Sequence, residues 1–242
     1  MITLLCDHNP KPLGDQIDSV FLAHCISVIE KKTVNICYQS SIVNFLNDFV
    51  GFGDVLVNSS KSKTVIHFHN NKKEGIQLYN FYSSQIEKIP LQKNIETRNI
   101  QTPDKFITAQ WDAQQIYRRP DKYEKERIPR IESYYRDRGY SIIRVGGEGE
   151  YKDLKEIIYV MSKASLHIGA ESGMMHIAKM LMPAENLHLY RYITRRNDDR
   201  FPDGWDVAWM GRELMRRGAK LNYCENPPKE QVEYFRSLEP WV

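Results

Sequence analysis

The segment from Ala164 to Pro183, A-S-L-H-I-G-A-E-S-G-M-M-H-I-A-K-M-L-M-P, constrains the fold of this 242-residue chain more than any other stretch. Ser165 to Ala170 is short and mostly apolar, which predicts a buried strand. From Met174 to Leu181, apolar residues recur at i, i+3, i+4 and i+7, the spacing of one helical face. The tripeptide E-S-G between the two patterns predicts a tight polar turn. Strand, turn and helix together form the repeating unit of parallel α/β sheets.

The turn has the residue types of an anion site. Ser172 is a good helix N-cap, and Gly173 lets a ligand approach the backbone closely. The N–H groups of Gly173 to Met175 would point outward at the positive end of the helix dipole, where anions bind. His176 would lie one turn further on the same side of the helix. Each residue also has a plainer interpretation: Ser172 as a cap only, Glu171 as a surface carboxylate, and His176 as a satisfied helix histidine.

Strand and helix patterns alternate along the rest of the chain. In the first half, the predicted strands are Ile2–Cys6, Thr33–Tyr38, Asp54–Asn58 and Thr64–His69, and the predicted helices are 16–31 and 41–50, with 76–86 ambiguous. In the second half, the further strands are Phe106–Trp111, Ser141–Val145 and Leu187–Tyr192, a helix opens at Asp153, and Pro129 predicts a kinked or split helix before Gly139.

This alternation predicts an α/β fold with parallel sheets, in which the loops after the strands share one edge. Ligands of such sheets bind at that edge. The polar region from about Pro90 to Asp104 has no clear period, so we place an interdomain linker there. The predicted domains are 1–95 and 105–242.

Composition narrows the class of protein. The formal charge of +3 permits a polyanionic partner without demanding one. No apolar run approaches the roughly 20 residues of a membrane span, and the N-terminus lacks the features of a signal peptide. The four cysteines are scattered without a C-x-x-C pair, which favours free thiols in a reducing compartment. We therefore expect a soluble cytoplasmic protein, located in the host cytoplasm if the source is viral.

The run E-S-G-M-M-H-I-A at 171–178 resembles the D-S-G-P-M-H-I-A signature of the heptosyltransferase-like glycosyltransferases, family 9. In that family this turn and helix hold the phosphates of a nucleotide-sugar donor. The sequence departs from the signature at Glu171, in place of aspartate, and at Met174, in place of proline. The resemblance extends from about Phe106 to Leu189, and the chain is shorter than typical members.

The resemblance implies a compact GT-B fold, in which two Rossmann-like parallel-sheet domains face a cleft. It also implies an inverting, metal-independent transfer from a nucleotide-sugar, which is a substrate, so that no cofactor is required. In the first half, Leu13-Gly14-Asp15 is similar to the family's L-G-D, whose aspartate is the proposed general base. The role therefore falls on Asp15, with Gly14 on the acceptor side. Asp15 has the alternative role of N-cap of the first helix.

Several further residues have candidate roles in binding the two substrates. The donor phosphates need charge compensation from the Ser172 to Met175 amides, from His176 and from Arg118 or Arg119, which could equally form a solvated face. Glu148 or Glu150 could accept hydrogen bonds from the donor ribose. His67 and His69 alternate on one strand, but a third ligand at metal-site spacing is absent, so we expect them to contact the acceptor and predict no metal.

Two rival functions and the nature of the acceptor stay open in the sequence. The rivals are a nucleotide-sugar epimerase and a noncatalytic nucleotide- or phosphate-binding module. Family members usually glycosylate glycans. The segment from Tyr190 to Arg217, which includes Arg195 and Arg196, is rich in arginine and aromatic residues, the composition of surfaces that bind phosphates and stack on bases. A hydroxymethylated base of viral DNA is therefore a second candidate acceptor.

Overall fold

The computed structural model describes residues 1–6, 13–38, 55–57, 63–69, 73–86, 99–112, 122–147, 149–170, 172–190 and 220–222. The chain divides into two compact units, Met1–Asn99 and Ile100–Val242. Of the helices in the described ranges, none combines the length and the apolar character that a membrane span requires.

The first unit contains one parallel sheet. Its strands are β1 (Ile2–Cys6), β2 (Val34–Tyr38), β3 (Val55–Val57) and β4 (Thr64–Phe68), and its helices are α1 (Leu13–Glu30) and α2 (Lys73–Ser83). The strand order is β3-β2-β1-β4, with every described pair parallel. Tyr79 of α2 packs against Phe21 of α1 and Phe68 of β4, with ring centroids 6.2 and 6.3 Å apart, so both helices share the core of this sheet.

Periodicity located most elements of this unit. The four predicted strands are confirmed to within one residue at each end. Residues 76–83 of the ambiguous segment at 76–86 belong to α2, in which the buried residues Gly75, Tyr79, Tyr82 and Ser83 recur at i, i+4, i+7 and i+8. The predicted start of α1 at Gln16 is wrong, since the helix begins at Leu13. The helix predicted at 41–50 lies outside the described residues.

The second unit contains a five-stranded parallel sheet. Its strands are β5 (Phe106–Gln110), β6 (Ser141–Arg144), β7 (His167–Gly169), β8 (Leu187–Tyr190) and β9 (Lys220–Asn222). Its helices are α3 (Lys122–Arg136), α4 (Leu154–Lys163) and α5 (Gly173–Leu181). The predicted order of strands and helices is confirmed, and β9 is an addition that the sequence did not indicate. Helix α3 continues through Pro129, so it is not split there, and the alternative of a kink stays a prediction. Pro129 is exposed there.

The strand order of this second sheet, β6-β5-β7-β8-β9, places the site. From β5 the chain crosses to β6 on one side and afterwards to β7 on the other. The order therefore reverses between β5 and β7. In parallel sheets this switch point leaves a crevice at the carboxyl ends of the two strands, where ligands bind. The predicted α/β fold with parallel sheets in both halves is confirmed.

Candidate functional site

The amino end of α5 lies at the carboxyl end of β7 and begins with Ser172. This residue is extended, with φ −149° and ψ 178°, and its Oγ accepts a hydrogen bond from the N–H of Met174 at 3.2 Å. The first helical hydrogen bond follows, from the N–H of His176 to the carbonyl of Ser172 at 3.3 Å. Ser172 is therefore the N-cap, as predicted. Among the described residues, no acceptor binds the N–H groups of Gly173 and Met175.

Gln110 ends β5 and contacts the N-cap directly. The Oγ of Ser172 donates to Oε1 of Gln110 at 2.6 Å, and the N–H of Ala170 donates to the Gln110 carbonyl at 2.9 Å. Gly169, the last residue of β7, has φ +151°, and a Cβ added to it would collide with the same carbonyl. The ends of β5 and β7 thus approach each other more closely than any side chain at position 169 would allow.

The turn after β6 meets this pair of strand ends. Gly146 and Gly147 have φ of +66° and +41°, which favour glycine. A Cβ on Gly146 would lie 3.2 Å from Cγ and Sδ of Met174, and a Cβ on Gly147 would lie 3.5 Å from Oδ2 of Asp112. The segments that follow β5, β6 and β7 therefore converge at one edge of the sheet. Asp112 and Gln110 belong to this site, and the sequence did not single out either of them.

The predicted donor-side residues fall into two groups. Ser172 to Met174 are partly exposed, Met175 is buried, and His176 is 7% exposed within α5. Glu150 is exposed in the loop after β6, where its N–H donates to the Arg144 carbonyl at 2.9 Å. The remaining predicted donor residues lie outside the described residues: Arg118, Arg119, Glu148 and Glu171.

The predicted base and acceptor residues lie in the first unit, apart from Arg195 and Arg196, which are outside the described residues. Gly14 is buried in the first turn of α1, and Asp15 follows it. The Asp15 side chain is not among those described. Because α1 begins at Leu13, Asp15 lies within the first turn, and the alternative that it is the N-cap is wrong.

His67 and His69 lie at the carboxyl end of β4, which is the edge strand of its sheet. His67 is exposed and His69 is partly exposed. In the described ranges, no three His, Cys, Asp or Glu side chains come close enough together to hold a metal ion.

A buried carboxylate fixes the end of β5 on the opposite face of the sheet. Glu132 of α3 accepts hydrogen bonds from Nε1 of Trp111 at 3.0 Å, from Nε of Arg144 at 2.8 Å and from Nη2 of Arg136 at 2.8 Å. Burial alone would raise the pKa of Glu132, but the hydrogen bonds from Arg144, Trp111 and Arg136 hold it below the usual value. The charged network anchors the residue that immediately precedes Asp112.

A neutral histidine lies beneath the site. His167 of β7 is 0% exposed, and its Nδ1 is 3.0 Å from Oγ1 of Thr108 on the neighbouring strand. Burial lowers the pKa of His167 from 6.5 to about 3, because the imidazolium form would lose its hydration. Thr108 and Gln110 are two residues apart on β5 and share a face of the sheet. His167 is thus part of the interior that supports Gln110.

No protein-family model and no curated protein matches this sequence. Structural comparison does find matches. A family 9 glycosyltransferase from Veillonella parvula aligns with a TM-score of 0.56 and 14% identity, over 98% of this chain and 90% of that one. The Escherichia coli ADP-heptose lipopolysaccharide heptosyltransferase II aligns with a TM-score of 0.52 and 9% identity, over 98% of both chains.

A third match is TibC from enterotoxigenic E. coli, described as an iron-containing dodecameric glycosyltransferase. It aligns with a TM-score of 0.52 and 10% identity over 78% of this chain. The alignment covers 57% of the length of TibC, so this chain spans little more than half of that protein. TibC has also been solved with ADP-D-β-D-heptose. The resemblance to heptosyltransferases and family 9 glycosyltransferases, found in the sequence at 171–178, is therefore confirmed in the fold of the chain.

Proposed function

We propose that this protein is a nucleotide-sugar-dependent glycosyltransferase whose donor diphosphate binds at the amino end of α5. The observation that carries the proposal is the position of the Ser172 N-cap at the switch point of a parallel sheet, beside the turns after β5 and β6. A fold shared with three glycosyltransferases supports it, one of them solved with ADP-heptose.

The reaction assigns a task to several of the predicted residues. An acceptor hydroxyl attacks the anomeric carbon, the bond from that carbon to the diphosphate oxygen breaks, and the hydroxyl proton passes to the carboxylate of Asp15. Backbone N–H groups of Gly173 and Met175 stabilise the charge that develops on the leaving diphosphate. We propose inversion, and the further donor contacts of Arg118 or Arg119, Glu148 or Glu150, and Glu171, on the family resemblance alone.

Metal independence is also a proposal, and one fold relative is described as iron-containing. The N–H donors at α5 offer a way to compensate phosphate charge without a cation. Nucleotide binding measured with and without EDTA, and with added divalent metals, decides this point.

The proposed acceptor is a glycan hydroxyl, with a hydroxymethylated base of DNA as the alternative. Of the basic aromatic segment that suggested DNA, the structure describes Tyr190 alone. The Tyr190 ring packs edge-on against Trp111 with centroids 5.5 Å apart, and its hydroxyl is 3.0 Å from that of Tyr135, so its contacts lie within the core of the second unit. Duplex DNA binding that is absent, or that does not weaken as salt rises, would leave the glycan as acceptor. The cytoplasmic location stays a prediction that cell fractionation tests.

A thermal-shift panel of ADP, UDP, GDP and CDP tests the proposed function. A ligand at about 100 times its Kd stabilises the native state by about 2.7 kcal/mol, which raises the melting temperature measurably. If no nucleoside diphosphate does so, the glycosyltransferase proposal is wrong. Binding without transfer to any acceptor would favour the noncatalytic module, and interconversion or release of the sugar without an acceptor would favour the epimerase.

Ser172→Ala tests the position of the site. We expect it to weaken nucleoside diphosphate binding by about 1 to 3 kcal/mol, because the cap that orients the first-turn N–H groups is lost. Asp153→Ala is the matched control. Asp153 caps α4 through the N–H groups of Lys155 and Glu156, at 3.0 and 3.1 Å, so its loss removes a comparable cap without touching α5. Equal loss of affinity in both variants would contradict the assignment to α5.

A further inference from the structure

Gln110 is a buried polar residue to which neither the sequence nor the family resemblance assigns a role. It is 6% exposed, yet its side chain lies at the switch point between β5 and β7 rather than in the apolar core. Its Oε1 accepts the hydroxyl proton of Ser172 at 2.6 Å. Within the described part of the chain, its Nε2 has no hydrogen-bond acceptor. Its amide N–H groups are therefore available to a ligand at this edge of the sheet.

The hydrogen-bonding capacity of the pair can be counted. Gln110 supplies two N–H hydrogens and Ser172 supplies one O–H hydrogen. One of the three is used between the two side chains, and Oγ of Ser172 also accepts the N–H of Met174. Two donor hydrogens therefore remain. The same number remains if the amide is turned over, because Nε2 then donates to Oγ and the hydroxyl proton is released.

These two hydrogens lie beside the open N–H groups of Gly173 and Met175, at the positive end of α5. These donors come from uncharged groups that are held by the backbone or by a buried side chain. Such a set of donors matches an anion with several acceptor oxygens, such as a diphosphate.

We propose that Gln110 is a donor-binding residue that donates a side-chain hydrogen bond to a phosphate oxygen of the nucleotide-sugar, with Ser172 holding its amide in place. This assignment rests on the proposed function and extends it to the end of β5. It requires an amide at position 110. A carboxylate of the same shape would accept the Ser172 proton but would have no hydrogen to give and would repel the phosphates.

The test is Gln110→Glu, which keeps the shape of the side chain and its contact with Ser172. We expect the affinity for the nucleoside diphosphate selected by the thermal-shift panel to fall by more than about tenfold. The affinity for the matching nucleoside, which has no phosphate, should stay unchanged. Gln110→Met removes the amide without adding a charge. Its affinity for the diphosphate should fall less than that of Gln110→Glu, because the Ser172 hydroxyl can then donate its hydrogen bond to a phosphate oxygen.

Gln101→Glu is the matched control, since it makes the same charge change at an exposed position of the same unit. It should bind the diphosphate as the unmodified protein does. Equal losses for nucleoside and diphosphate in Gln110→Glu would mean that Gln110 only supports the fold, and unchanged diphosphate affinity would refute its role. If the unmodified protein binds no nucleoside diphosphate, the proposed function fails and the role of Gln110 fails with it. If the unmodified protein and Gln110→Glu bind the diphosphate equally well, the role of Gln110 is refuted and the proposed function is unaffected.

Discussion

His167 should make the second unit sensitive to acid, and His167→Asn should remove that sensitivity. The imidazole is fully buried, and its pKa is lowered to about 3. In the unfolded chain a histidine titrates near 6.5. Between these two values the unfolded state binds a proton that the folded state does not. The free energy of unfolding therefore falls as the pH falls from about 6.5 to about 3. Above pH 6.5 the titration of His167 does not change the free energy of unfolding.

The size of the effect follows from the two pKa values. Each pH unit inside the window costs about 1.4 kcal/mol, so acidification from pH 7.5 to pH 5 should remove about 2 kcal/mol through His167 alone. Asparagine can place a polar atom near the position of Nδ1, within reach of Thr108, but it does not titrate. The substitution leaves a small cavity and should cost about 1 to 3 kcal/mol at pH 7.5.

Urea unfolding followed by circular dichroism at the two pH values measures both effects. On acidification, the free energy of unfolding should fall by about 2 kcal/mol more in the unmodified protein than in His167→Asn. The difference should appear in the unfolding transition whose midpoint the substitution changes. An unchanged m value would show that both proteins unfold from comparably compact states. If the two proteins lose the same stability between pH 7.5 and pH 5, His167 does not differ in proton affinity between the folded and unfolded states, and the reasoning from burial is refuted.

Two further predictions concern the close approach of β5 to β7 and the chemistry of transfer. Gly169→Ala should destabilise the protein by about 1 to 3 kcal/mol in urea unfolding, because its Cβ would collide with the Gln110 carbonyl. Gly139→Ala, whose Cβ would come no closer than 3.7 Å to Lys105 Nζ, should cost less; a larger loss at Gly139 would contradict this account. Asp15→Asn should abolish sugar transfer while leaving donor affinity nearly intact, since it removes the base and no phosphate contact. Equal loss of both would show that Asp15 is structural.

The sequence predicted the elements of the second unit because their signals are local. Asp153 and Ser172 are N-cap residues directly ahead of apolar helical faces, and the structure confirms both caps. The short strand β9 gave no signal, because three residues are too few to show a period of two. The early start of α1 was missed for a different reason. Gly14 is a common turn residue and weakens a helix, yet here it is buried in the first turn.

Gln110 could not be found from sequence, because its role depends on which strands are neighbours. It lies 62 residues from Ser172 along the chain, and the two meet only because β7 pairs with β5. A periodic pattern identifies the face on which a residue lies, but it does not identify the strand beside it. The same holds for Asp112, whose nearness to Gly147 follows from the pairing of β5 with β6.

Met174 stands where the donor-binding signature has proline, and its N–H group has a partner within the cap. Proline has no N–H group, so the signature offers an anion no backbone donor at this position. Met174 does have an N–H group, but it is used by the Oγ of Ser172 at 3.2 Å. In this chain the first turn therefore presents the N–H groups on either side of Met174, those of Gly173 and Met175. The substitution therefore replaces a ring that fixes φ with a hydrogen bond that fixes the cap, and it leaves the donors that would face a diphosphate unchanged.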